Sequence, residues 1–239
     1  MLKHIDKLDS LHLAHDGLYE RQETRLVKRL VKPGQVFVDV GAHIGYYSVM
    51  ASELVGLNGR VYCFEPNTEN YCTLKANTDG LTNCTLYKVA LSNHPGPAKL
   101  YLNKDNSGDH RMFSVDGREY IEIDAMCLDD FGAIPKAHFM KIDVQGSECR
   151  VLRGATKLIE NSPYLQMLIE YSPNHLWGAG VSPGRLIGML LDAGFLIYAK
   201  NGKGQWVYAD SEHLFVHTKK HINLFCSHLR HEKIDWSDT

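Results

Sequence analysis

The chain has no long apolar run, no strong excess of one charge and no closely spaced cysteine pair, and each absence excludes a class of protein. No apolar segment approaches the roughly 20 residues that cross a bilayer as a helix. A net charge of −2 gives no general attraction to nucleic acids or membrane surfaces. Acidic residues are scattered through the first 25 positions, so we expect neither a signal peptide nor a transit peptide there. We expect a cytoplasmic protein without a nucleic-acid or membrane partner, and the oligomeric state, a homo-oligomer included, stays open.

The six cysteines form no C-x-x-C pair. We expect all of them to be reduced, with Cys63 acting as a small apolar residue inside a buried strand. The C-terminal region also holds four residues of types that ligate zinc: His221, Cys226, His228 and His231. Their spacing matches no standard zinc finger, so the interpretation is a solvated helical tail over residues 219–239 and no bound metal.

With 239 residues and 44% apolar composition, the chain can bury the core of one α/β domain over residues 1–239. Residues 1–18 are a lead-in. The apolar patterns predict helices at 19–31, 44–55, 68–78, 149–160 and 183–193, and strands at 36–40, 61–64, 85–89, 139–144, 166–171, 195–200 and 213–218. Connections of this length indicate right-handed crossovers and hence a parallel sheet. Short strands at 99–103 and 120–124 indicate a β-hairpin insertion or lid, 99–124, before the fourth strand.

The most informative segment covers residues 36–66 and opens with V-F-V-D-V-G-A-H-I-G-Y-Y. Its apolar start is typical of a strand buried on both faces, and its glycines permit a tight turn and a close approach of backbone to a ligand. Asp39 and Gly41 stand at the carboxyl end of this strand, where doubly wound sheets bind their ligands. Glu65 closes the next strand 20 positions after Gly45, at the spacing of a carboxylate that binds ribose hydroxyls. The segment therefore predicts a bound nucleoside.

The glycine pattern distinguishes between cofactors. A nicotinamide site reads G-x-G-x-x-G, whereas here His43 occupies the middle glycine position and only Gly41 and Gly45 remain. Asp39 in the turn would repel a diphosphate but suits a ligand that carries an ammonium group, such as the methionine part of S-adenosylmethionine. These residues favour a methyl donor over a hydride donor.

A second polar segment, K-I-D-V-Q-G-S-E, follows another apolar strand. Asp143 stands at the carboxyl end of that strand, in the same crevice as Asp39 and Glu65. Carboxylates at three strand ends in one crevice indicate a binding or catalytic site. A structural interpretation stays open, in which Asp143 or Ser147 caps the helix that follows.

Five segments occur in a characteristic order: D-V-G-A-H-I-G-Y-Y, F-E-P-N, V-A-L-S, K-I-D-V-Q-G-S-E and L-I-E-Y-S-P. With them the chain resembles the FkbM-type family of S-adenosylmethionine-dependent methyltransferases over about residues 19–218. The resemblance implies the class I methyltransferase fold, a doubly wound Rossmann-like sheet of about seven mostly parallel strands with the last antiparallel. It also implies methyl transfer to a small-molecule or natural-product acceptor, usually a hydroxyl of a sugar, polyketide or other secondary metabolite.

The resemblance assigns the contacts to the methionine moiety of S-adenosylmethionine. Gly41, Ala42 and His43 are expected to wrap this moiety, with Gly45 in the same turn and Asp39 near the ammonium group. His43 stands where many members of the family have asparagine, and either side chain can hydrogen-bond the cofactor.

The resemblance also assigns the nucleoside contacts. Glu65 is expected to hold the ribose hydroxyls, and Asn67 is a candidate second contact. Ala90 and Leu91 are expected to line the adenine pocket. Asp143 should stand where the sulfonium methyl group meets the acceptor.

An alcohol is a poor nucleophile until its proton is leaving, so the reaction calls for a general base. Four residues are candidates: Asp143, His110, Glu170 and His175. Asp143 is the first choice because its strand-end position fixes it in the crevice. A structural interpretation stays open for the others, with His110 in a solvated loop, Glu170 in an ion pair or a helix cap, and His175 at the wall or surface.

Other functions remain open from the sequence. A peptide side-chain amide could accept the methyl group on nitrogen, because the acceptor pocket is built from loops that sequence describes poorly. A nicotinamide-dependent oxidoreductase is disfavoured, since the chain lacks an S…Y-x-x-x-K set. Several carboxylates in one crevice could bind magnesium, but the Asp129-Asp130 pair precedes the strand of Asp143, and we expect no metal.

Overall fold

The main sheet is organised around the strand of the first sequence motif. The computed structural model describes residues 19–209 and 221–229. In it β1 (Val36–Val40) lies between β2 (Arg60–Phe64) and β7 (Phe139–Ile142) and is parallel to both. Four of the five β1 residues are buried, as predicted for a strand with partners on both edges and cover on both faces.

Five further strands complete this sheet: β3 (Cys84–Tyr87), β8 (Gln166–Tyr171), β9 (Leu196–Lys200), β10 (Trp206–Tyr208) and β11 (Ile222–Ser227). The described strands follow the order β10-β9-β11-β8-β7-β1-β2-β3. The five strands from β8 to β3 are parallel, whereas β11 runs antiparallel to both of its neighbours. The predicted doubly wound α/β sheet with an antiparallel last strand is confirmed. The described sheet has eight strands rather than about seven, six of them at predicted positions, and β10 and β11 lie outside the predicted strands.

Seven α-helices are described: α1 (Arg21–Leu30), α2 (Tyr46–Val55), α3 (Thr68–Asn77), α4 (Glu148–Arg153), α5 (Thr156–Glu160), α6 (Pro173–Gly178) and α7 (Pro183–Asp192). Apolar side chains form two clusters, and successive residues of β1 alternate between them, Val38 in one and Phe37 in the other. This alternation places one core layer on each face of the sheet. Among the described helices, none is both long and apolar enough to span a membrane.

The segment between β3 and β7 forms a second, smaller sheet. Its strands are β4 (Ala90–Leu91), β5 (Gly96–Tyr101) and β6 (Tyr120–Met126), in the order β4-β6-β5. β5 and β6 pair antiparallel from Gly96 to Tyr101, so the predicted hairpin is present and begins a few residues earlier than expected. The connection between these two strands, residues 102–119, is called the insertion loop below.

The prediction of a solvated helical tail at 219–239 is wrong where the structure describes it, because residues 222–227 form β11 inside the main sheet. Leu224, Phe225 and Cys226 are fully buried there. Their apolar run of three residues is too short for periodicity to distinguish a strand from a helix. The predicted strand at 213–218 and the lead-in at 1–18 lie outside the described residues.

The predicted helix at 149–160 is two helices, α4 and α5, separated near Gly154. The backbone at Gly154 packs so closely that a Cβ atom there would lie 2.0 Å from the Ser92 carbonyl oxygen. The Gly154 carbonyl accepts a hydrogen bond from the Asp129 backbone N–H at 2.9 Å, and the Asp129 carboxylate accepts two from the first turn of α5. These contacts end one helix and begin the next. The sequence analysis also missed the short helix α6.

Candidate active site

A cavity of about 420 Å³ lies at the carboxyl ends of β1, β2, β7 and β8, with the insertion loop on one side. This volume is typical of small-molecule sites. Most of the residues predicted from sequence line it: Asp39, Gly41, Ala42, His43, Glu65, Ala90, Leu91, His110, Asp143, Glu170 and His175. Gly45 and Asn67 are not among the lining residues.

The turn after β1 is held against the segment after β7. Gly41 has φ +81°, and a Cβ atom there would lie 2.0 Å from the Asp143 carbonyl oxygen. Only glycine combines this conformation with this approach. His43 also has positive φ, at 52°, in the left-handed region that non-glycine residues rarely adopt. The backbone at this end of the cavity is therefore fixed by packing and carries strain at a candidate ligand contact.

Gly45 and Asn67 have structural roles and do not line the cavity, and their assignment as cofactor contacts stays a prediction. A Cβ atom at Gly45 would lie 2.7 Å from Leu74 Cδ1, so this glycine brings α2 close to α3. The Asn67 side-chain oxygen accepts backbone hydrogen bonds from Glu69 and Asn70 and caps α3. Asn70, one turn further on, lines the cavity in its place.

Glu65 is buried at the end of β2 and is held from both sides. Its Oε2 accepts a hydrogen bond from the His43 backbone N–H and its Oε1 one from the Asn67 backbone N–H, both at 2.9 Å. Burial raises the pKa of Glu65 to about 7, although these backbone bonds oppose the rise. The carboxylate is thus oriented before any ligand arrives and keeps lone pairs for further donors.

Asp39 is buried below the same turn. Its Oδ2 accepts a hydrogen bond from Ser48 Oγ at 2.6 Å. Burial raises the pKa of Asp39, while the nearby Lys141 charge and the Ser48 bond lower it. The carboxylate lines the cavity and is available to a positively charged group.

An apolar part of the wall lies where β3 leads into the smaller sheet. Val89, Ala90, Leu91 and Leu100 line the cavity there, and all four are buried. They offer a surface suited to the face of a planar ring.

The insertion loop is tied to the main domain beside the first turn. The Ser107 hydroxyl lies 2.8 Å from His43 Nε2, and the Ser107 carbonyl accepts a hydrogen bond from Asn70 Nδ2 at 3.0 Å. Within the loop, Asp109 accepts from Arg111 Nε at 2.7 Å and from Arg118 Nη2 at 2.6 Å. Burial acts to raise the pKa of Asp109, but these hydrogen bonds lower it overall. The loop is therefore an ordered wall of the cavity.

His110 and His175 have their ring nitrogens engaged. His110 Nδ1 accepts a hydrogen bond from the Asn103 backbone N–H at 3.1 Å, so its proton is on Nε2. His175 Nε2 lies 3.0 Å from Arg111 Nη2, and because a guanidinium only donates, the His175 proton is on Nδ1. Burial lowers the pKa of both, that of His175 to about 4. Each imidazole is neutral at pH 7 and presents an N–H rather than a free lone pair, which does not suit a general base.

Asp143 lies just beyond β7 and is bonded on both oxygens. Lys141 Nζ donates to Oδ2 at 2.8 Å, and Gln145 Nε2 donates to Oδ1 at 2.7 Å. Burial acts to raise the pKa of Asp143, but the Lys141 charge and these hydrogen bonds lower it overall. Asp143 is therefore an ionised carboxylate at the cavity wall, with lone pairs left for a donor on a ligand. The structural alternative of a helix cap is not what the geometry shows, because the cap position before α4 is Ser147 and its side chain makes no capping bond.

Glu170, at the end of β8, is a buried carboxylate near Asp143. Gln145 Nε2 donates to Glu170 Oε1 at 2.8 Å while it also bonds Asp143, so one amide links the two groups. Burial raises the pKa of Glu170 well above its usual range, and the Asp143 charge adds to the rise. The pair therefore favours an ionised Asp143 next to a neutral Glu170.

The sequence analysis missed several cavity residues: Glu20, Tyr47, Asn70, Lys141 and Gln145. Tyr47 donates to Glu20 Oε2 at 2.8 Å, and Lys141 Nζ lies over the Tyr47 ring. A signal existed for Lys141, because a charge inside the buried strand F-M-K-I requires a partner. No local pattern marks Glu20, which reaches the cavity from the segment before α1.

The sheet order, its antiparallel last strand and the cavity at the carboxyl ends of the parallel strands define the class of protein, an S-adenosylmethionine-dependent methyltransferase of the class I fold. The FkbM methyltransferase domain matches residues 39–197. The chain belongs to this family, and S-adenosylmethionine is its cofactor.

Named relatives agree with this assignment. The chain is 26% identical over 195 residues to the hexuronic acid methyltransferase AglP of Haloferax volcanii, covering 79% of this chain and 75% of the relative. It is 25% identical over 187 residues to the 2-O-methyltransferase NoeI of Sinorhizobium fredii, covering 70% and 75%. In fold it resembles a TehB-like S-adenosylmethionine-dependent methyltransferase from Corynebacterium glutamicum, with a TM-score of 0.50, 9% identity and coverage of 91% and 92%.

Proposed function

We propose that this protein transfers a methyl group from S-adenosylmethionine to a hydroxyl group of a sugar. The observation that carries the proposal is an ionised carboxylate, Asp143, on the wall of the same cavity as the buried Glu65. The relatives support the acceptor class, because one is named for hexuronic acid and the other for a 2-O position.

The residues present fit the cofactor. Glu65, already oriented by two backbone N–H groups, has lone pairs to accept bonds from ribose hydroxyls. Asp39 supplies negative charge for the ammonium group, beside the tight turn at Gly41. Ala90 and Leu91 supply an apolar wall for the adenine ring. When bound, S-adenosylmethionine supplies an electrophilic methyl group on a sulfonium leaving group.

The chain then has to align the acceptor and accept its proton. Asp143 is the residue to which we assign the acceptor hydroxyl, because it is ionised and its position is fixed by Lys141 and Gln145. Orientation by such a group gives on the order of 7–11 kcal/mol in well-aligned reactions. General base catalysis adds typically ~10²–10⁴-fold. His110 lines the cavity with its proton on Nε2 and is assigned to orient the sugar rather than to remove a proton.

The charge at Asp143 favours a hydroxyl over two other acceptors. A sugar carboxylate next to ionised Asp143 is repelled, and the two Lys and Arg residues that line the cavity in the described part of the chain, Lys141 and Arg111, already pair with carboxylates. A peptide amide, the nitrogen acceptor considered from the sequence, is a weaker nucleophile that gains little from a base of low pKa.

Transfer of a ¹³C-labelled methyl group from S-adenosylmethionine tests the proposal. A methyl glucoside and a methyl glucuronide are offered separately, with an asparagine-containing peptide in parallel, and the product is analysed by NMR. A methyl ether on either sugar, lost in Asp143→Asn, is the expected result. A methyl ester on the glucuronide or an N-methyl amide would assign a different acceptor group and overturn the proposal.

A further inference from the structure

Three side chains of metal-ligating types meet beside Asp143: Glu170 at the end of β8, His175 on α6 and His221 before β11. Their candidate ligand atoms all lie within 4.8 Å of one another. His175 Nδ1 is 3.7 Å from Glu170 Oε2, and His221 Nε2 is 3.3 Å from Glu170 Oε1. Ligands about 2.1 Å from one cation are separated by roughly 3.0–3.4 Å, so small movements suffice to place a metal ion between these atoms.

Two of these atoms lack a hydrogen-bond partner in the described part of the chain. Glu170 Oε2 and His175 Nδ1 are both buried and unpaired, and they face each other across a gap too long for a hydrogen bond. Leaving a buried polar atom unpaired is destabilising, and here two such atoms converge. Within a cavity wall, this arrangement is typical of a site that a bound ion completes.

The ligand set indicates the kind of ion. Magnesium and calcium prefer oxygen ligands, whereas two imidazoles with one carboxylate suit zinc, iron, cobalt and related ions. His221 is half-exposed, with 52% of its side chain accessible, so an ion reaches the site from solvent. Three protein ligands leave coordination positions open for water or an acceptor.

We propose that Glu170, His175 and His221 form a binding site for a divalent transition-metal ion at the acceptor end of the cavity. The site differs from the magnesium site weighed from the sequence, because two of its ligands are histidines and neither Asp129 nor Asp130 takes part.

Arg111 opposes metal binding in the described state. It donates to His175 Nε2, which keeps the proton on Nδ1, the atom that faces Glu170. A metal ion would take the place of this proton and of the proton on the neutral Glu170. The Glu170 proton would pass to solvent, the His175 proton would move to Nε2 or to solvent, and Arg111 would give up its bond to His175 while it keeps its bond to Asp109. Arg111→Met is therefore expected to bind the metal more tightly than the parent protein, and weaker binding would exclude Nδ1 as the ligand atom.

A role for the ion follows if the proposed function is right. Both Asp143 oxygens accept hydrogen bonds, from Lys141 and Gln145, which weakens this carboxylate as a base toward an alcohol. A bound metal ion lowers the pKa of a coordinated water to about 7, and an alcohol bound in the same way would lose its proton to a weak base more readily. The binding site itself is tested without any acceptor, so it does not depend on this role.

The experiment titrates the chelator-treated full chain with Zn²⁺ by calorimetry and records the visible spectrum with Co²⁺. The variants are His175→Ala and His221→Ala, and His94→Ala is the control because His94 is exposed, bonds Asn93 and is not part of the cluster. One equivalent is expected to bind to the parent and to His94→Ala, with the dissociation constant raised at least tenfold in the other two. Co²⁺ d–d bands are expected in the parent and lost in His221→Ala.

Absence of one-equivalent Zn²⁺ binding in the parent, or equal binding in all variants, overturns the site. S-adenosylhomocysteine binding is measured on each variant as a check on folding. If His175→Ala does not bind S-adenosylhomocysteine, the result for His221→Ala alone tests the metal site, because His221 is half-exposed and its replacement should not disturb folding. Failure of the parent to methylate any sugar would count against the proposed function and leave the metal result unchanged.

Discussion

Replacement of Glu65 should weaken cofactor binding strongly, because its carboxylate is buried, oriented and directed at the cavity. Two backbone N–H groups, from His43 and Asn67, hold it at 2.9 Å. A hydrogen bond to a charged group contributes about 1.5–3 kcal/mol. Loss of one ribose bond thus corresponds to roughly 10–150-fold in affinity at about 1.4 kcal/mol per tenfold. Glu65→Ala also leaves two N–H groups without an acceptor and loosens the turn, so we expect at least a tenfold loss.

Calorimetric titration with S-adenosylhomocysteine measures this loss, and Glu69→Ala is the matched control because Glu69 is exposed on the adjoining helix α3. Two ligands that differ by one ribose hydroxyl distinguish the loss of a direct Glu65–ribose contact from an indirect effect of a loosened turn. The parent should bind 5′-methylthioadenosine more tightly than its 2′-deoxy analogue, and Glu65→Ala should not distinguish them. Parent-like affinity of the Glu65 variant, or unchanged discrimination between the two ligands, would refute the ribose assignment.

Three further predictions concern the same crevice. Asp143→Asn should keep S-adenosylhomocysteine affinity within about threefold and lower kcat by roughly 10²–10⁴-fold in a methyl-transfer assay; unchanged turnover would remove Asp143 from catalysis. Because burial raises the pKa of Glu65 to about 7, its carboxylate is mostly protonated at pH 6 and ionised at pH 8, so S-adenosylhomocysteine should bind roughly tenfold more tightly at pH 8. Glu65→Gln should make this affinity nearly independent of pH, and a steep pH dependence in that variant would show that a group other than Glu65 titrates. Gly41→Ala should lower the thermal midpoint much more than Gly34→Ala, since both have φ near +80° but only Gly41 would clash, and equal shifts would show that the Asp143 backbone yields.

The α/β alternation of the main sheet could be predicted from sequence because each parallel strand is a short apolar run followed by a turn signal. β1 and β8 match their predicted bounds, and the carboxylates at the strand ends line one cavity as expected. Their positions at the ends of predicted strands are enough to predict that these carboxylates lie together, since parallel strands bring their carboxyl ends to the same edge of the sheet.

The parts of the fold and of the site that could not be predicted depend on contacts between segments far apart in the chain. β11 pairs with β8 and β9, and its short apolar run does not identify it as a strand without those partners. The tautomers of His110 and His175 follow from a backbone N–H and a guanidinium in the insertion loop, which no local pattern specifies. The weak base at Asp143 likewise results from Lys141 and Gln145, and residue type alone does not reveal it.

A crystal structure with bound S-adenosylhomocysteine would test the account most directly. We expect the ribose hydroxyls within hydrogen-bond distance of Glu65, the adenine ring against Ala90 and Leu91, and the sulfur atom facing Asp143. A nucleoside bound away from Glu65, or a sulfur atom with no open path to Asp143, would contradict the proposed site and the role of Asp143 in methyl transfer.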